Sequence, residues 1–521
     1  MMQPQTASNQ EGSRDQVAIE MDSILTRGSN GLEVRVQELS TFRAAFVSVA
    51  VSGMVFISSL STGLLATGLP KIAANLGLPD ALILWPASIF GLTCGCSLIS
   101  IGSVADVIGA GPVYLFGCVF LSLSFLACGL ARSGTELIIF RGFQGVAASC
   151  CLPTAISILT EIFPQGRQQT RGLAILGASQ PLGYSAGLFL GGVLVDSIGW
   201  RWGWYIASIL SMVVFGIVYQ AVPGLRKQMP LDTWRRLALG IDWIGALIAS
   251  ACLGLLSYVL AVTASKRSHI GEVQNIILLV IAALLIPAFP VWMARRTKLN
   301  KKALIPNSVW QSIPFASTCV MLFLVSAVIN CGEYFFSLFF QEVQLLSALQ
   351  ASLRFLPNVI IGIMISFGTD AVLHKWDAYR YVTAMLLISC VAPLLMALMD
   401  PAWSYWYMAF WGMLLLPFAG DVLFIAGALI ITDSFSASDQ SLAGSILNTA
   451  FQFGSSVGLA VMAVISTSVS DASSHSDEHR THALLEGYRA AFWSLLGLAV
   501  LYCFVGAIGL RGIGKIGLKK E

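Results

Sequence analysis

The chain is polar and mixed in charge over residues 1–42, then becomes a series of long apolar runs separated by short polar breaks. About twenty predominantly apolar residues cross a bilayer core as a helix. Fourteen runs approach or exceed that length. Six fall at 45–68, 82–104, 111–131, 136–161, 171–195 and 202–222, and two more at 241–263 and 274–294. The remaining six fall at 312–340, 348–371, 379–399, 403–432, 441–469 and 488–510. Residues 1–42, with Arg14, Arg27 and Arg35 among acids, Ser and Gln, read as a disordered tail.

The polar breaks give the orientation, because cytoplasmic loops hold an excess of Lys and Arg. With the N-terminus inside, the inner segments carry 21 of these residues and the outer loops 6. Arg141, Arg201 and Arg354 lie in or at the edge of spans. This asymmetry predicts an even number of spans with both termini cytoplasmic. The two most basic inner loops, 223–240 and 295–311, bracket the seventh and eighth spans. The chain therefore divides into a six-helix half at 43–222, a linker with two added helices at 223–311, a second six-helix half at 312–510, and a short tail at 511–521.

Composition removes the soluble alternative. Of 521 residues, 56% are hydrophobic and 11% charged, where a soluble domain is about one-quarter charged. Mean hydropathy is +0.78. The eleven cysteines sit almost entirely in apolar segments, with neither metal spacing nor an extracellular pairing pattern, and read as reduced packing residues. No signal peptide and no glycosylation sequon is visible. Near the C-terminus, GLRGIGK and the GxGxxG of Gly512, Gly514 and Gly517 imitate phosphate loops. Ile516 stands where Ser or Thr would bind magnesium, and no strand precedes either motif, so no nucleotide-driven pump is expected. His269, His374, His475, His479 and His482 lie outside the spans, which argues against an integral-membrane enzyme. The last three read as a solvated outer loop at 470–487. No cofactor, metal or nucleic-acid partner is expected.

Chemistry-bearing residues are concentrated in a few spans. Arg141 and Gln144 interrupt the apolar run LIIFRGFQGVAAS at 137–149. A charge at such depth costs at least about 2.5–3.5 kcal/mol, so it normally faces a partner or a watery space. Span two ends in GSVADVIG at 102–109, and span five reads GASQPLGYSAGLFLGG at 177–192. Glycines at four-residue spacing make a smooth face for another helix. Span six opens with WRWGWY.

These motifs, in this order and on these spans, resemble the major facilitator superfamily, in particular its fourteen-span drug:proton antiporter branch in fungi. The resemblance covers nearly the whole chain after residue 43. It rests on the loop motif at Gly102, Ala105, Asp106 and Gly109, on RxxQG at Arg141, Gln144 and Gly145, and on the fifth-helix motif at Gly183, Gly187, Gly191 and Gly192. SLRFLP at 352–357 also looks like that branch, and 438–458 looks like fungal members associated with aminotriazole resistance and boron or ammonium handling. The resemblance implies an all-α integral membrane protein of the major-facilitator fold, with fourteen helices in a 6+2+6 arrangement. It also implies a monomeric secondary transporter for a small organic molecule, driven by protons, with Gly102, Asp106 and Gly109 at the inner gate. The plasma membrane is the expected location, with the vacuolar membrane as the alternative.

Three positions depart from the family pattern. Val107, Ala110 and Gly111 replace the basic residues after Asp106. Leu188 replaces a proline after the second glycine of the fifth-helix motif. A position near Ser61, upstream of Leu69 and Pro70, lacks the acid that many relatives have. Any coupling carboxylates must then lie elsewhere, and Glu333 and Asp421 are the two acids deep in spans. In the family's architecture their helices and that of Arg141 line one cavity. On a rise of about 1.5 Å per residue, Arg141 lies roughly 8 Å and Glu333 roughly 10–13 Å below the outer ends of their helices. Depth therefore permits a salt bridge between them, with Asp421 nearer the middle. Gln144, Asn330, Tyr334 and Phe336 are the candidate cavity residues. Uptake or facilitated transport of a small nutrient or inorganic solute, such as borate or ammonium, is the alternative function.

Overall fold

The computed structural model describes residues 41–79, 82–163, 167–222, 237, 241–265, 272–299, 304–305, 307–373, 377–434, 440–473 and 480–511. Among these, regular structure is helical throughout, with no strand. The first eight helices are α1 (Thr41–Leu76), α2 (Trp85–Ile108), α3 (Ala110–Leu130), α4 (Gly134–Ile162), α5 (Arg167–Ser197), α6 (Trp200–Ala221), α7 (Trp243–Ser265) and α8 (Val273–Lys298). The rest are α9 (Ile313–Leu338), α10 (Ala348–Arg354), α11 (Leu356–Leu373), α12 (Ala378–Leu398), α13 (Ala409–Leu415), α14 (Phe418–Ser434), α15 (Gln440–Ser473) and α16 (Arg480–Gly509).

Local chemistry sets several boundaries. α4 starts where the Ser133 hydroxyl accepts the Glu136 N–H at 3.3 Å, and the Glu136 carboxylate accepts the Arg132 N–H at 2.8 Å. Such capping satisfies donors that the first turn leaves open. α2 and α3 are separated by Gly109 alone, at φ +106°, a conformation that favours glycine. Ser347 and Gln350 form a capping box at the start of α10.

Twelve helices among the described residues are long and apolar enough to cross a membrane. The seventh and tenth predicted runs lie outside those twelve but are helical too, as α7 and as α10 with α11. The tenth run breaks at Phe355, just before Pro357, and the twelfth breaks around Pro417, because proline lacks an N–H and clashes with the preceding turn. The twelfth also starts late: 403–408 form turns, with Trp403 N–H bonded to the Asp400 carbonyl and Tyr407 N–H to that of Ser404. Much of the predicted loop at 470–487 is helix, since α15 continues to Ser473 and α16 begins at Arg480. His482 therefore lies on a helix, 3.7 Å from Glu486 one turn on, whereas His475 and His479 fall outside the described residues. The tail at 1–40 and the C-terminal glycine motif from residue 512 also lie outside them.

Helices α1–α6 pack mainly on one another, α1 along α5, α2 along α4, and α3 against α4 and α6. Helices α9–α16 do the same around α9, which lies against α14, α15 and α16. The two groups meet where α2 runs along α15 and where α5 meets α10 and α11. α7 and α8 form a pair leaning on α2 and α15, fixed in part by the Ser250 hydroxyl on the Cys96 carbonyl at 2.8 Å. Only 11% of the most apolar window of α8 is buried within the protein. Such a face is tenable against lipid and not against water. The protein is an integral membrane protein.

Candidate functional site

Arg141 is fully buried. Its Nε donates to the Pro86 carbonyl of α2 at 2.9 Å, and its Nη1 donates to Gln144 Oε1, one turn along α4, at 2.9 Å. Gln144 passes the connection to α1, its Nε2 lying 2.6 Å from the Ser61 hydroxyl. The guanidinium carbon stands 4.5 Å from the Phe90 ring centroid and 5.5 Å from that of Trp204. Pro86 lies in the first turn of α2, where its missing N–H costs nothing. Gly145 lets α4 approach α2 so closely that any Cβ there would overlap Thr93 and the Phe90 carbonyl. The arginine is thus fixed within the first group of helices by one backbone carbonyl, one side-chain amide and two aromatic faces. Nη2 is left without a partner.

The two acids occupy the second group. Glu333 on α9 is buried and accepts from Asn358 Nδ2 at 2.8 Å. Its other oxygen is unpartnered, with the Tyr184 hydroxyl of α5 beside it but outside hydrogen-bond geometry. Asp421 lies near the start of α14, close enough to Glu333 for their charges to interact, and its Oδ2 has no partner. Asn358 and Gly362, one turn apart on α11, serve the two acids: a Cβ on Gly362 would come within 3.2 Å of Asp421 Oδ2. Tyr334, buried on α9, carries an unpartnered hydroxyl and lies within electrostatic range of both Arg141 and Glu333.

Arg141 and Glu333 therefore do not form the salt bridge that their depths permit; among the described residues neither has an ionic partner. Arg141 is anchored to α2 and Gln144, whereas Glu333 is turned towards α11 and α5. Gln144 is fully buried as a brace for the arginine. Asn330 donates to the Ser326 carbonyl on its own helix at 2.9 Å. Phe336 is buried 5.5 Å from Phe492 of α16, between helices of the second group.

The glycine motif on α5 serves two surfaces. Gly183, Gly187 and Gly191 lie against α1, where a Cβ would overlap the Phe56 carbonyl, the Leu60 carbonyl and the Thr67 hydroxyl respectively. Gly192 faces the other group, against the Ala348 carbonyl and Ser352 of α10. At the end of the bundle where α2 ends and α15 begins, Gly102 approaches Ser445 of α15, and Asp106 is exposed. The opposite, far end is tied across the groups. Asp196 accepts from Lys71 Nζ and from the Leu349 N–H of α10, each at 2.7 Å, and Gln341 Nε2 donates to the Thr67 carbonyl at 3.0 Å.

Pro86, Phe90, Trp204, Tyr184 and Asn358 were not singled out as site residues from the sequence. Tyr184 and Asn358 did carry a signal, being polar side chains inside apolar spans next to motifs already noted.

The family model described as Major Facilitator Superfamily matches residues 51–420. The MFS-type transporter 1 of Pyricularia oryzae is 37% identical, over 93% of this chain and 86% of its own. The cephamycin export protein CmcT of Amycolatopsis lactamdurans is 29% identical, over 83% and 87%. Among solved structures, a bacterial homologue of the human lysosomal transporter Spinster, inward-facing and unoccupied, superposes with a TM-score of 0.60 at 15% identity, covering 90% of this chain and 98% of that one.

Proposed function

This chain belongs to the major facilitator superfamily, and we propose that it exports a small organic compound, such as a drug, toxin or secondary metabolite, in exchange for protons. The observation that carries the coupling is the pair Glu333 and Asp421, each within a span and each with one carboxylate oxygen buried and unpartnered. A buried polar atom without a partner is costly unless water, a proton or a ligand completes it. Asn358 braces Glu333 and leaves its second oxygen open for a proton. Arg141 holds a fixed positive charge in the first group of helices, and Tyr334 lies within electrostatic range of both that charge and Glu333. Protonation of either acid from outside removes a negative charge from the cluster, releases substrate and favours return to the inward state by alternating access. Export as the direction is supported by the export relative, and the plasma membrane is the location that fits it.

The test uses inverted vesicles. Glu333→Gln and Asp421→Asn are compared for substrate-driven proton movement. The expected outcome is loss of proton coupling in at least one variant with substrate binding retained. Unchanged coupling in both would sink the mechanism.

One observation favours a second reading, uptake or facilitated passage of a small nutrient or inorganic solute. At the Ser61 position, where many relatives have an acid, a neutral hydroxyl is engaged by Gln144. The direction of tracer flux under an imposed proton gradient separates the two readings.

A further inference from the structure

The far end of the second helix group carries a crevice of about 480 Å3 that takes no part in the central cluster. Arg354, Gln344, Tyr405, Trp403, Ser404 and Trp406 are among its lining. Arg354, the last residue of α10, lies within the SLRFLP stretch that the transport reading leaves without a role. Its guanidinium carbon is 5.0 Å from the Phe340 ring centroid and 5.3 Å from that of Tyr405. Nη1 donates to Gln344 Oε1. Gln344 donates in turn to the Pro401 carbonyl at 3.0 Å, and the Tyr405 hydroxyl donates to the Arg354 carbonyl at 2.8 Å. The head group is braced on both sides.

What it lacks is a counter-ion. No carboxylate among the described residues pairs with Arg354. The neighbouring acids are engaged elsewhere, Glu342 by the Tyr488 hydroxyl and Asp400 by the Ala402 N–H at 2.9 Å. A preorganised planar guanidinium with donors to spare matches a carboxylate or phosphate. Beside it Trp403 and Trp406 are 42% and 68% exposed, which leaves their faces open to an apolar body. The backbone here is also unusual, with a π-helical turn at Phe339–Val343 followed by Leu345 at φ +54°. Such features concentrate at functional sites. An aromatic belt at the membrane surface accounts for the two tryptophans, but not for the braced arginine.

We propose that this crevice binds an amphipathic anion, its carboxylate or phosphate against Arg354 and its apolar or aromatic body against Trp403 and Trp406. The anion comes either from solution or from the head group of an anionic phospholipid. The inference depends on neither the direction nor the coupling of transport.

The test takes the full chain in nanodiscs of phosphatidylcholine and measures equilibrium binding of radiolabelled 1-naphthoate, with the neutral 1-naphthalenemethanol as control. Naphthoate binding is expected to fall about tenfold or more in Arg354→Gln, and less in Arg354→Lys. It is also expected to fall in Ser404→Asp, which sets a counter-ion in the crevice from an exposed position and keeps the arginine. The alcohol should bind all forms alike. Competition by added phosphatidylglycerol supports the lipid as a source of the anion, and its absence supports the dissolved anion. Naphthoate binding unchanged in both Arg354→Gln and Ser404→Asp overturns the proposal. So does a lack of naphthoate binding combined with phosphatidylglycerol retention that is the same in wild type and Arg354→Gln.

Discussion

At the scale of the residue, Arg141 is a fully buried charge without an ionic partner among the described residues. A charge taken out of water without an ionic partner costs several kcal/mol, and here the compensation is entirely neutral. The Pro86 carbonyl and Gln144 amide oxygen accept from it, and Phe90 and Trp204 offer their faces. That arrangement requires the guanidinium fork, because a lysine ammonium cannot reach a carbonyl and an amide from one plane. Arg141→Lys is therefore expected to lower transport by about tenfold or more while the protein still inserts. Arg141→Ala should in addition lower thermal stability by about 1–3 kcal/mol, since it removes the hydrogen bonds to the Pro86 carbonyl and Gln144 from a buried site. Transport assays in vesicles and melting of the solubilised protein measure the two effects. Normal transport by Arg141→Lys would reduce the residue to a point charge.

At the scale of the element, α5 shows how one helix serves two neighbours. Its glycines 183, 187 and 191 repeat every four residues and admit the backbone of α1. Gly192, one position on, is turned to α10. A methyl group at Gly187 would overlap the Leu60 carbonyl, which is backbone and cannot swing aside. Gly187→Ala is expected to cost about 1–3 kcal/mol, as overpacking does. Gly177, on the same helix, has open space around its missing Cβ. Gly177→Ala should leave stability unchanged or slightly raised and is the internal control, both being read as melting temperature in detergent. Equal melting of the two variants would show that α1 and α5 can part without loss. The glycine spacing was legible in the sequence because it repeats with the helix. Which neighbour each glycine meets was not, because adjacent positions on a helix point in different directions.

At the scale of the molecule, the two helix groups are joined at the far end by the packing of α5 on α10 and α11 and by polar bonds. The Lys71–Asp196 pair is within the first group and partly exposed, so it adds little by itself. The bond that crosses is the Leu349 N–H to Asp196, supported by Gln341 on Thr67. Asp196→Ala should loosen that end by about 1 kcal/mol, a roughly fivefold population shift. Hydrogen exchange is expected to rise in the segment 345–355 and to stay unchanged near Gly102 and Ser445. No change at 345–355 would mean that Gly192 packing and the Gln341–Thr67 bond keep the end closed without Asp196.

Much of this architecture follows from local sequence. Apolar runs of bilayer length, glycines at four-residue spacing and an arginine inside an apolar stretch are properties of neighbouring residues, and hydrophobic transfer acts on each run separately. They determined an all-helical membrane protein with a charged centre and marked Arg141, Glu333 and Asp421. Tertiary structure alone decided the partners. Arg141 turned to Pro86, Glu333 to Asn358 and Asp196 to Leu349, across separations of 55, 25 and 153 residues. Depth along a helix can be counted from sequence, but the rotation of each helix about its axis cannot. That rotation is set by close packing against every neighbour at once, and it directs a buried side chain towards a carbonyl, an amide or another charge.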